Sequence, residues 1–319
     1  MLPLILGGDP KQLPPAVMTT TEEDKKGNVL NRFAADGKVS AQMYLQYQGL
    51  PVFRLKTQLR MAKGMFDIPS SIFYKDVPFR YGDGQDIELE KFKLGRDLED
   101  YLVKIVKIKP SPKGTLSPAF VHCPKSVVIT DPCTGSKRSA DQVKVALDLI
   151  LDFLNFVRTE RQGKPNAKDP FDDVAPKITI ITPYTANLKE FDKKFRQESY
   201  RRLGRALPPP STIDSFQGQE NDIVVVVMGT KSINPGPGFT TDPQRLNVML
   251  TRMTCGLVVV GDINVAGHLV GKPRFKGNVA PGRYHVQRPG EELKVRKNGL
   301  ALFSFCQAMK VKGRVEISE

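Results

Sequence analysis

The stretch Ser211-Thr212-Ile213-Asp214-Ser215-Phe216-Gln217-Gly218-Gln219-Glu220-Asn221-Asp222-Ile223-Val224-Val225-Val226-Val227-Met228 decides the fold. Its second part, Ile223–Met228, is a short unbroken apolar run, the pattern of a strand buried on both faces of a parallel sheet. Its first part is a polar loop with a glycine just ahead of that strand. Short apolar runs bounded by turn residues recur at Leu4–Leu6, Val52–Leu55, Ser126–Thr130, Ile178–Thr182 and Leu257–Val260. Helical patterns lie between them. Ser139 with Gln142 three residues on spells a capping box, and Val143, Leu147, Ile150, Leu151 and Leu154 then share a face. Thr185 opens a second helix, with Leu188, Phe191 and Phe195 at helical spacing. Strands alternating with helices predict an open α/β sheet with ligands at the carboxyl ends of its strands.

Outward from this centre the pattern weakens. Residues 80–118, with Pro110, Pro112, Gly114 and Pro118, read as an irregular insertion, and Gly163–Pro176 reads as a polar loop. Residues 264–298 are rich in Gly, Pro, Lys and Arg, and a last helix over Leu300–Met309 is expected to pack back on the sheet. The organisation expected is a tail of a preceding domain over 1–50, a sheet domain over 51–265 and a basic extension over 266–319. The opening Met1-Leu2-Pro3-Leu4-Ile5-Leu6-Gly7-Gly8-Asp9 reads as a buried strand ending in a loop, not a signal peptide, and so as a chain cut inside a domain.

The chain has 319 residues, enough for one large or two ordinary domains, and its 40% apolar and 26% charged residues are ordinary for a globular protein. No apolar run reaches the roughly 18 residues a membrane span needs. The net charge of +14 favours polyanionic partners, nucleic acid above all. Eleven Lys/Arg against four Glu lie in residues 266–319, and Lys193, Lys194, Arg196, Arg201, Arg202 and Arg205 form a second basic cluster. Cys123, Cys133, Cys255 and Cys306 lack metal-site spacing and read as reduced thiols of a cytosolic or nuclear protein.

Candidate chemistry clusters at loops next to strands. Asp9 and Gln12 follow the first apolar run, where a glutamine amide can donate to a phosphate oxygen. Asp242 and Pro243 fit the N-cap and first position of a helix whose core face is Leu246, Met249, Leu250 and Met253. Arg245 and Arg252 would share one flank of it and suit a phosphate. Gly218 permits close backbone approach, and Glu220 beside it can accept from a ribose hydroxyl. Thr212 and Ser215 suit a nucleic-acid backbone, and Tyr184, after Thr182, suits a stacked base or the core.

Taken in order, Gly8-Asp9-Pro10-Lys11-Gln12-Leu13, Gln58-Leu59-Arg60-Met61, Ile181-Thr182-Pro183-Tyr184, Asp214–Glu220 and Arg245–Arg252 resemble motifs III, IV, IVa, V and VI of superfamily 1 helicases, subgroup B. The resemblance implies a second RecA-like domain, a parallel sheet flanked by helices, preceded by a remnant of the first. It implies Gln12 as a γ-phosphate sensor, Arg60 and Arg252 as arginine fingers, Gly218, Glu220 and Arg245 near the nucleotide, and Thr182, Tyr184, Thr212, Ser215 and Gln217 along a single strand of DNA or RNA. Leu59 stands where the family has an aromatic residue, and Met249 and Met253 where it has alanines. No G-x-x-x-x-G-K-[ST] loop occurs, and Gly229-Thr230-Lys231-Ser232 only imitates the end of one. The expectation is therefore a carboxyl-terminal helicase half that uses ATP and Mg²⁺ only together with an amino-terminal half. A catalytically dead strand-binding or regulatory module is the alternative.

Overall fold

Val224 to Val227 have essentially no exposed surface, because strands lie on both sides of them and helices above and below. The computed structural model describes residues 5–17, 23–34, 36–165, 168–232, 234–267 and 299–318, with the backbone of two short strands at 284–285 and 295–296. They fall into two compact units, Met1–Lys56 and Thr57–Glu319.

The larger unit is built on six strands: β1 (Ala119–His122), β2 (Ile178–Thr182), β3 (Ser211–Thr212), β4 (Asn221–Val227), β5 (Met253–Gly261) and β6 (Val315–Ile317). Their spatial order is β6-β1-β5-β4-β2-β3, and every neighbouring pair is parallel. This is the parallel α/β sheet that the apolar runs predict. The central strands match the expected positions. The run Ser126–Thr130 does not: the strand beside β5 is Ala119–His122, and only Ile129–Thr130 of the expected run is extended, in an exposed two-residue hairpin. Both segments are rich in apolar residues, but only the first lies alongside β5, pairing with it through four residues.

Helices α1 (Lys93–Lys104), α2 (Ala140–Arg161), α3 (Thr185–Phe195), α4 (Glu198–Ala206), α5 (Pro243–Met249) and α6 (Leu300–Val311) flank the sheet. Helix α1 lies inside the stretch expected to be irregular. Leu94, Leu98, Tyr101 and Leu102 form its buried stripe, and Gly95 has no side chain because a Cβ there would strike the backbone of Cys255. The proline cluster that follows obscured this four-residue signal. The expected polar loop 163–176 likewise contains a helical turn, Pro170–Asp173, capped by Asp169. Ser139 caps α2 by accepting from Gln142 N at 3.3 Å, but Gln142 does not return the bond. Its amide spans Ser126 Oγ, Thr230 O and Gly229 N instead, tying two loops to the helix.

The final helix does pack back, with Phe305 6.3 Å from the Phe120 ring, and β6 closes the sheet edge beside β1. Arg314, one of the basic residues of the tail, is 1% exposed and anchors that edge rather than facing solvent.

In the smaller unit Ser40 caps the helix Ala41–Tyr47 through Met43 N. The expected strands there do not form among the described residues. Ile5 is 90% and Phe53 95% exposed. A buried strand needs neighbours on both sides, and the described residues of this unit supply none.

Candidate nucleotide and nucleic-acid site

The sequence-predicted residues of the larger unit gather at opposite ends of the sheet. At the amino ends of β4 and β5, Glu220 and Arg252 directly precede their strands, and Asn221 N donates to Arg252 O at 3.1 Å. Arg60 joins them from far away in sequence. Its guanidinium pairs with the Glu220 carboxylate and donates through Nη1 to Thr251 O at 3.3 Å. The Gln58 carboxamide holds the Arg60 loop by accepting from Arg60 N at 2.8 Å. Leu59, exposed at 70%, takes no part in the core. Gly218, in the left-handed region at φ +83°, turns the chain into Glu220 with open space around its Cα.

Glu220 sits just ahead of its strand, as the sequence places it, and Arg252 likewise enters a strand at its amino end. One expectation is corrected here: Arg245 and Arg252 do not share a helix flank. Helix α5 stops at Met249, so Arg252 lies beyond it, 2% exposed, with Nε donating to Val248 O and Nη2 to Thr251 Oγ1. Asp242 does cap α5, with Pro243 at its first position.

At the carboxyl ends of β2 and β3 the arrangement differs. Thr182 is fully buried, and its Oγ1 accepts from Asn187 Nδ2 at 3.0 Å. Tyr184 is 2% exposed, its hydroxyl accepts from Phe239 N and donates to Pro237 O, and burial pushes its pKa up to about 12. Both therefore serve the core and the loop, and the expected base-stacking ring of Tyr184 is covered by Phe239, stacked on it at 5.5 Å. Thr212 and Ser215 are exposed or half-exposed and bond each other, Oγ1 to Oγ at 2.6 Å, while Gln217 faces solvent. Buried Ile213 and Phe216 hold this turn down. Arg245 is neither free nor at the amino-end cluster. Asp214 receives its Nε and Nη2 at 3.1 Å each, raising its pKa, and its guanidinium lies 5.0 Å from the Phe239 ring.

Gln12 belongs to the smaller unit, where its Nε2 donates to Asp9 Oδ2 at 3.0 Å and Lys11 N to Asp9 Oδ1 at 2.9 Å. The imitation phosphate loop runs into a turn, with Lys231 bridged to Gly236. Sequence reasoning missed Asp214, Phe239 and the buried Lys137, whose ammonium donates to Pro235 O and Gly236 O. No periodicity marks them, since Asp214 stands in a turn, Phe239 in a single short 3-10 turn and Lys137 in a strand of two residues. The buried thiols of Cys123, Cys255 and Cys306 are pushed up to about 12 and are poor nucleophiles.

The family profile described as an AAA domain matches residues 38–264, most of the chain. This chain belongs to the superfamily 1 helicases. Its similarity to a probable helicase, MAGATAMA 3 of Arabidopsis thaliana, is 29% identity over 81% of this chain and 27% of that protein. A regulator of nonsense transcripts 1 homolog from Neurospora crassa is 28% identical over 83% of the chain and 21% of its own length. An uncharacterized ATP-dependent helicase of Methanocaldococcus jannaschii is 23% identical over 82% of the chain and 32% of itself. This helicase domain thus spans a third or less of the length of these relatives. Among its described residues no helix is long and apolar enough to cross a membrane.

Proposed function

We propose that this domain is the carboxyl-terminal half of an ATP-dependent helicase acting on DNA or RNA, in a reducing compartment such as cytosol or nucleus. The observation that carries the proposal is the Arg60–Glu220–Thr251 cluster. Residues 191 positions apart converge at one end of the sheet, and the Arg60 side chain keeps about a third of its surface open to solvent. A planar, permanently charged guanidinium held by a carboxylate and a carbonyl suits the charge that develops on a transferring phosphoryl group. Arg252 braces Thr251, which receives Arg60, and would reach a phosphate itself only by turning outward from Val248.

The donor set fits the phosphates of ATP but not its metal ion. Glu220 is committed to Arg60, and the carboxylates for Mg²⁺ and the cradle for the β- and γ-phosphates would come from an amino-terminal RecA-like half. In this reading Gly218 lines the nucleotide, Glu220 orients Arg60 toward its phosphates, and Thr212, Ser215 and Gln217 follow the backbone of a single strand. Arg245 is better suited to fixing the Asp214 turn than to the nucleotide. Support also comes from the net charge of +14 and the family.

The test is strand-stimulated ATP hydrolysis by this chain combined with a phosphate-loop-bearing half. Arg60→Ala is expected to lower kcat by on the order of 10³-fold, as loss of an arginine finger does. A rate unchanged by that substitution would refute the assignment.

A further inference from the structure

The loop between β4 and α5 presents an aromatic ring to solvent where a covered one would cost less. Phe239 is 45% exposed, yet its position is closely determined. Its ring rests on Tyr184 at 5.5 Å and 26°, and its backbone N donates to the Tyr184 hydroxyl at 3.1 Å. Gly238 ahead of it adopts φ +54°, and a Cβ there would strike the Tyr184 hydroxyl. Thr240 and Thr241 lock the turn by donating to Pro237 O and Gly238 O. The Lys137 ammonium also lies 5.7 Å from the Tyr184 ring.

Arg245 completes the arrangement. Its guanidinium is 5.0 Å from the Phe239 ring, held side-on by both oxygens of Asp214, with Asp242 3.9 Å away. Two carboxylates offset its charge, so it is ill placed as a phosphate clamp. What remains is a flat guanidinium lying over a flat ring that also stacks on Tyr184, the first held by Asp214 and the second by the Tyr184 hydroxyl. Asp214 in turn adjoins the exposed Thr212–Ser215 hydroxyl pair, whose backbone donates and accepts within the same turn. A rigid planar surface thus stands next to polar groups of the kind that hold a sugar–phosphate chain.

We propose that the Phe239–Arg245 surface stacks a nucleobase of the single strand whose backbone passes Thr212 and Ser215. This rests on the proposed nucleic-acid function and assigns a residue outside every motif that suggested it. Stacking needs only a π-face, so the contact would be tolerant of base identity, as a translocating protein requires. The entropy of fixing the ring is already spent on folding, through Tyr184 and Gly238.

The experiment is anisotropy of labelled oligodeoxythymidine and of an abasic phosphodiester strand of equal length, titrated with the full chain across a salt series. Phe239→Ala and Phe239→Leu should each weaken oligodeoxythymidine binding about 10-fold, within the range of one stacked base. The salt slope should stay unchanged, since no phosphate contact is lost. Phe239→Trp should restore affinity, and the abasic strand should bind all forms alike. Phe239→Leu keeps an apolar cover on Tyr184, so it separates loss of the π-face from loss of the loop. Wild-type affinity for oligodeoxythymidine in both variants overturns the proposal and leaves the strand-binding function standing. An equal loss for the abasic strand also overturns it. If the wild-type chain binds neither strand, the nucleic-acid function itself fails, and this site with it.

Discussion

Arg314→Met should unlock the far edge of the sheet. Arg314 is 1% exposed and uses every N–H it has: Nε to Pro118 O at 3.2 Å, Nη1 to Glu99 Oε1 at 2.9 Å and Lys109 O at 2.8 Å, and Nη2 to Glu99 Oε2 at 2.7 Å and Ser117 O at 2.8 Å. One side chain therefore joins β6, helix α1 and the proline-rich run 109–118. Summing these bonds singly at ~1.5–3 kcal/mol each would equal the whole stability of a domain, so they cannot be additive. The relevant magnitude is removal of one partner from a buried pair, about 3–5 kcal/mol, because Glu99 and three carbonyls lose their donors together. Glu99 retains 17% exposure of its side chain, which lets water relieve part of the cost and places the value near the lower end. Urea unfolding reads it as a lowered midpoint at constant m-value. Arg314→Lys should recover little, since one ammonium cannot serve a carboxylate and three carbonyls in a plane. In a double-mutant cycle, Glu99→Gln should cost much less in the Arg314→Met background than in the wild type. A loss below about 1 kcal/mol for Arg314→Met, or equal Glu99→Gln costs in both backgrounds, would refute the view that this pair closes the sheet.

Two further outcomes follow from buried polar groups. Gln142→Ala removes the amide that bridges Ser126, Gly229 and Thr230 and should cost about 2–4 kcal/mol in the same unfolding assay, leaving buried partners unsatisfied; a change within about 0.5 kcal/mol would mean water replaces it. Burial lowers the Lys137 pKa from 10.5 to about 8, so between those values the unfolded chain holds a proton the folded one has shed. Stability should rise with pH across that window more steeply in the wild type than in Lys137→Met, and parallel pH profiles for the two proteins would exclude the shift.

The sequence by itself determined the central strands, read at Ile178–Thr182, Ile223–Met228 and Leu257–Val260 and found at Ile178–Thr182, Asn221–Val227 and Met253–Gly261, because a strand buried on both faces is apolar along most of its length. It also determined the family, since ordered short motifs survive in sequence whatever surrounds them. Elements whose signal is four residues long were decided only in three dimensions. Helix α1 shows one buried stripe amid charges, and β6 is three residues that gain meaning only beside Phe120 and Val121. The same holds for the side chains of the sites. Arg60 and Glu220 are both legible as candidates, but their pairing depends on two chain segments meeting at one end of the sheet. Arg245 and Arg252 look equivalent at seven-residue spacing, yet the helix ends between them, leaving one against Asp214 and Phe239 and the other buried. Of the two aromatic residues Tyr184 and Phe239, sequence reasoning singled out only Tyr184. Which of them faces solvent is set by which one packs into the sheet, and a linear pattern carries no record of that.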